Sequence, residues 1–177
     1  GVASRIEGLS LMALMALSAA VTPFTGQNYG AAKYTRVTAG MRFAWRWATC
    51  YGLAVAAVLF FGAPYIAQFF TENPAAIEAA VMHLSLVPWS YGFLGIQMTC
   101  VSAFNAVGKP GPGMAISMCR TIGLYAPLAF ALAWLLDLQG VFLAAFTANI
   151  GAGLLGYFWF QLAFRSYTAT TPVSETA

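Results

Sequence analysis

Apolar runs bounded by short polar punctuation divide this chain. No charged residue falls between Gly8 and Ala32, a run of 25 residues. At about 1.5 Å per residue a helix of that length crosses a hydrocarbon core of roughly 30 Å. Gly26 and Gly30 supply the stop and turn needed where it leaves the core. A second run, from Trp47 to Thr71, is equally free of charge. Gly62, Ala63 and Pro64 are expected to end or bend it, leaving an aromatic-rich interfacial piece. The third run opens at Asn73-Pro74, an N-cap followed by proline at the first helical position. Pro88 predicts a kink inside it. The fourth follows Lys109, carries Arg120 near its start and contains Pro127. The fifth is uncharged from Leu138 to Phe164 and ends at Arg165. The pattern therefore predicts five helices, over roughly residues 4–26, 37–62, 74–107, 111–136 and 138–164. Residues 166–177, polar and rich in Thr and Ser, are expected to form a disordered cytoplasmic tail.

Composition settles the solvent. The 177 residues are 60% hydrophobic and 7% charged, with a mean hydropathy of +0.74. A water-facing domain carries about 25% charged residues, so the reading is an all-α polytopic transmembrane helix bundle. The net charge of +3 comes from cations spread over loops and helix ends, not gathered into a nucleic-acid-binding patch. Lys33, Arg36, Arg42, Arg46, Lys109 and Arg165 fall at one set of ends, whereas Glu72, Glu78 and Asp137 fall at the other. Under the positive-inside rule the basic set is cytoplasmic, placing the chain's first residue outside and its last inside. With neither an initial Met nor a basic leader, such a start is expected to need at least one earlier span.

Candidate chemistry is sparse. Three cysteines in apolar runs and a single histidine, His83, leave no disulfide framework and no metal motif. Gly151, Gly153 and Gly156 spell a dinucleotide fingerprint, but mid-way along an apolar helix they read as close-packing residues. No catalytic pairing of carboxylates, Ser/His/Asp or Cys/His is visible, so no enzyme is expected. Arg5 and Glu7 are expected to be solvated at the outer interface, and Arg120 either to snorkel to the inner one or to make a cavity-mouth contact or an inter-helix bond to a carbonyl. In the third segment Tyr91, Gly95, Met98, Ser102 and Asn105 share one face, either lining a cavity or forming a helix–helix seam. Gln97 and Asn149 are costly mid-membrane polar groups. Tyr91, Gln97, Met98, Ser102, Asn105 and Asn149 are thus the candidate substrate-cavity residues.

Arg5-Ile6-Glu7, followed by ALSAAVTPFTGQNYGA from Ala16 to Ala31, resembles the multidrug and toxic compound extrusion family. The match belongs to the second helix of that family's C-terminal half. The stretch AFNAVGKP from Ala103 is similar to its loop two helices later, and Ser117-Met118-Cys119-Arg120 to the entry of the next helix. The resemblance implies helices eight to twelve of twelve, the greater part of one six-helix lobe. It also implies a sodium- or proton-coupled antiporter of the inner membrane, exporting organic cations, drugs or amphipathic molecules by alternating access. Partners would be the small-molecule substrate, the lipid bilayer and the missing N-terminal half, with no nucleic acid and no cofactor. Some relatives carry a coupling carboxylate near the position of Gly95. Its absence implies a coupling site outside this chain. Alternatives are a flippase for lipid-linked precursors, disfavoured by the scarcity of deep Lys or Arg, and a non-transporting structural membrane subunit.

Overall fold

The computed structural model describes the backbone of residues 2–169 and the side chains of residues 4–165. Within them every element is helical. The order is α1 (Val2–Gly30), α2 (Tyr34–Phe70), α3 (Pro74–Leu86), a 3₁₀ turn (Val87–Ser90), α4 (Tyr91–Ala106), α5 (Pro110–Met118), a π-helical stretch (Cys119–Tyr125) and α6 (Ala126–Ala169). Four apolar helical runs are long enough to cross a membrane: Ser4–Gly30, Tyr34–Phe70, Pro74–Ala106 and Pro110–Arg165. The last spans 56 residues. It is broken at Asp137, whose φ of 50° and ψ of −129° are non-helical. The chain folds back there so tightly that a Cβ on Gly140 would run into the Leu132 carbonyl. Two helices were expected at this point, and the structure has one run in two arms.

Several predicted ends shift, each for a local reason. α1 passes Gly26, which rests 3.5 Å from the Ala106 carbonyl at its would-be Cβ and serves as a contact residue, not a terminator. α2 continues through Pro64 to Phe70 because Ala63 and Ala67 are fully buried and hold the helix past the missing N–H. The predicted kink at Pro88 takes the form of the 3₁₀ turn. Pro127 produces a change the pattern did not show. The π-helical stretch lies just ahead of it, and the Ala126 N–H bonds five residues back to Thr121. α6 reaches Ala169, and residues 170–177 of the expected tail lie outside the described residues.

Two apolar clusters fill the bundle. One, at the end where α1 leads into α2, is built on Met41, Trp45, Phe104, Ile116, Phe160 and Phe164. The other, at the opposite end, is built on Leu14, Leu59, Leu84, Val87, Tyr91 and Leu94. Large apolar side chains such as Phe61, Phe69, Phe130 and Trp134 are more than three-quarters exposed. An outward-facing girdle of this size suits lipid, not water.

Candidate functional site

The break at Pro88 creates the site's first polar group. A proline here cannot donate to the helical ladder, so carbonyls around it lose their partners. Ser90 donates its hydroxyl to the Val87 carbonyl at 2.7 Å and is itself fully buried. Asn149 of α6 donates its amide N–H to Ser90 Oγ at 2.9 Å, and Arg120 of the π-helical stretch donates Nη1 to Asn149 Oδ1 at 2.7 Å. These bonds tie three elements together in the interior.

Arg120 lies ten residues from Pro110, about 15 Å along the helix. Its bond to the Asn149 carboxamide is the inter-helix contact among the alternatives the sequence left open. Beyond that bond, its guanidinium faces a cavity of about 380 Å³ between α1, α3, α4, the π-helical stretch and α6.

Glu7 and His83 line the same cavity. Glu7 is half-buried at the rim of this cavity. Its side chain is 31% exposed and its Oε2 lies 3.5 Å from His83 Nε2, an ion pair only when the imidazole is protonated. That distance is beyond a well-formed hydrogen bond, and Nε2 has no hydrogen-bond partner. The His83 ring stands edge-on to Phe142 at 4.9 Å. Arg5 is exposed. The cavity therefore gathers one fixed cation, one carboxylate and one imidazole in an apolar wall, where charge interactions are strengthened by the low dielectric.

Of the six residues expected to line a cavity, Asn149 lines this one. Met98 and Ser102 lie in the seam between α1 and α4. Ser18 Oγ bonds the Met98 carbonyl at 3.2 Å and sits 2.6 Å from Ser102 Oγ. Gln97 is buried and reaches Ser117 at 3.4 Å. Asn105 is exposed. Tyr91 is fully buried and its hydroxyl has no partner among the described residues. An orphan hydroxyl is a cost, so Tyr91→Phe should leave folding unchanged or stabilise it by up to about 1 kcal/mol. Thermal unfolding of the purified protein in detergent checks this; a clear loss of stability would mean that the hydroxyl is bonded.

Sequence reasoning missed Glu7, His83 and Ser90. For Ser90 the signal was available, because a serine two residues after a mid-helix proline stands ready to take a freed carbonyl. For Glu7 and His83 there was none, since only the fold brings α1 against α3.

The MatE family model matches residues 1–131. The chain is 29% identical over 171 residues to the FAD transporter of Shewanella oneidensis, covering 97% of this chain and 38% of that protein. It superposes on the bent form of the Vibrio cholerae MATE transporter VcmN with a TM-score of 0.89 at 31% identity, covering 94% of this chain and 38% of that one. An inward-facing multidrug resistance MATE family transporter shares the fold at a TM-score of 0.88 and 22% identity, with 96% and 40% covered. The chain thus spans about two-fifths of the length of these relatives.

Proposed function

Because the chain belongs to the MatE family of membrane transporters, we propose that it forms five crossings of one six-helix lobe in a twelve-helix antiporter. The two arms of the Pro110–Arg165 run count as separate crossings in this reading, joined at Asp137. Its companion is the N-terminal half of the same transporter. The complete protein exports organic cations, drugs or other amphipathic small molecules across the inner membrane by alternating access, driven by entry of sodium or protons. Lys33, Lys109 and Arg165 face the cytoplasm. The coupling carboxylate belongs to the companion half, and Glu7 and His83 are side chains that this half presents to the cavity.

The observation that carries the reading is the cavity, with Arg120 held by Asn149 against a helix broken at Pro88. Broken helices around polar groups at the bilayer midplane are what alternating access in transporters built of repeats uses. Asn149 contacts substrate here, while Tyr91, Gln97, Met98 and Ser102 hold the seams around the cavity and Asn105 sits at the exposed end of α4.

A second reading concerns the substrate. Arg120 is a fixed cation at the cavity wall, which suits an anionic group such as a phosphate, and one relative is named a FAD transporter. Vesicles carrying the complete transporter, given a sodium or pH gradient, should accumulate a fluorescent organic cation on the first reading. On the second they should move a flavin dinucleotide. If neither moves under either gradient, the antiporter reading is wrong.

A further inference from the structure

Glu7 and His83 meet near the end of the bundle that Glu72 and Asp137 mark. Glu7 lies five residues past Val2 of α1 and His83 nine past Pro74 of α3, about 8 and 14 Å along each helix. The carboxylate sits at the cavity rim, and the imidazole behind it is only 12% exposed. Their 3.5 Å separation suits attraction between charges and is too long for a well-formed hydrogen bond. Buried Nε2 has no hydrogen-bond partner, and Phe142 closes the ring from the side. A buried nitrogen beside a carboxylate gains an ion-pair partner once the ring takes a proton.

The charges around this pair are few. Glu7 faces the imidazole from α1, whereas Arg5 is exposed. From the π-helical stretch Arg120 and Tyr125 line the same cavity, and Tyr91 of α4 is buried in the apolar cluster beside it. α2 brings Tyr51, whose hydroxyl donates to the Ser10 carbonyl. The α6 wall carries uncharged side chains, and Glu78 of α3 itself is exposed. Arg120 donates to the uncharged Asn149 and makes no ion pair among the described residues. With a neutral imidazole the charges of Arg120 and Glu7 sum to zero. One proton on His83 occupies Glu7 from within and leaves the lining with one net positive charge.

We propose that His83 with Glu7 is a proton site that sets which charge the cavity accepts. While the imidazole is neutral, Glu7 is open to an organic cation. Once the imidazole is protonated, Glu7 is paired internally and the cavity favours an anionic group at Arg120. Protons and cations therefore compete here, and by linkage a bound cation holds the proton off. The site is additional to the coupling carboxylate of the companion half. Its effect on ligands rests on the cavity being the substrate site proposed above, and the proton site itself does not.

Two measurements on the purified protein in detergent test it. In the magnetic resonance spectrum of histidine-labelled protein, the imidazole signals that vanish in His83→Gln should titrate between about pH 8 and pH 5.5. An imidazole that keeps one charge throughout overturns the proposal. Binding is read with a fluorescent quaternary ammonium dye and with an aryl sulfonate, both of fixed charge over that range. The dye should bind about tenfold more weakly at the lower pH, and the sulfonate more tightly. His83→Gln should lose most of that dependence, and His83→Lys should bind the dye weakly at both pH values. Glu7→Gln should bind the dye at high pH as weakly as the unsubstituted protein does at low pH. Glu78→Gln, outside the cavity, should change nothing. If His83→Lys does not fold, His83→Gln and Glu7→Gln carry the measurement. A pH dependence unchanged in His83→Gln, or lost as fully in Glu78→Gln, overturns the proposal. If neither probe binds at either pH, the substrate reading fails, and the imidazole titration alone upholds or overturns the proton site.

Discussion

Replacing Gly52 with valine should abolish the folded bundle. Gly52 of α2 lies directly against Gly92 of α4. A Cβ added there would collide with the Gly92 amide nitrogen and come within 2.8 Å of its Cα and 3.0 Å of the Tyr91 carbonyl carbon. All three are backbone atoms, so no rotamer change relieves the clash. In a membrane the close approach of backbones is itself what holds helices together. The cost should exceed the 1–3 kcal/mol of an ordinary overpacking substitution. Gly52→Ala should already destabilise, and Gly8→Ala, with nothing within 4 Å of its new methyl, should not. Folded yield and unfolding midpoint of the complete transporter in detergent read both. Equal tolerance of Gly52→Val and Gly8→Ala would show that α2 and α4 do not cross here.

Arg120→Ala should reduce transport about 10- to 100-fold, the equivalent of the roughly 1.5–3 kcal/mol that a hydrogen bond to a charged group contributes. Arg120 has two roles in this structure: it donates to Asn149, and it puts a positive charge on the cavity wall. Arg120→Gln separates them, because a carboxamide still offers an N–H donor but carries no charge. If the charge meets the substrate, Arg120→Gln transports as poorly as Arg120→Ala while unfolding near the normal temperature. If the bond to Asn149 is the whole role, Arg120→Gln restores both. Asn149→Leu should destabilise more than either, since it leaves both Arg120 and the buried Ser90 without their partner.

Uncharged runs, the Asn73-Pro74 start and the segregation of Lys and Arg from Glu and Asp made the helical, membrane-crossing architecture legible. These features act locally, through dehydration cost and backbone geometry. The motif from Ala16 to Ala31 made the family legible too. For Arg120 the sequence left snorkelling and an inter-helix bond both open, because one helix alone does not decide between them. Its inward orientation depends on Asn149, 29 residues away, and on a π turn forced by Pro127. The face carrying Met98 and Ser102 was recognised as a stripe. Whether it met a cavity or a helix was decided by Ser18, on a helix some 80 residues earlier. Glu7 and His83 were invisible as a pair for the same reason.

The central claim is that this chain is one half of a two-part machine, with its working cavity completed by a companion lobe. Liposomes reconstituted with residues 1–177 alone, with the proposed companion lobe as a separate chain, and with both together, test it most directly under one imposed ion gradient. The account predicts gradient-driven substrate flux only when both parts are present, and loss of that flux when Arg120 is replaced by Ala. Flux from residues 1–177 alone, above that of empty liposomes, would contradict it.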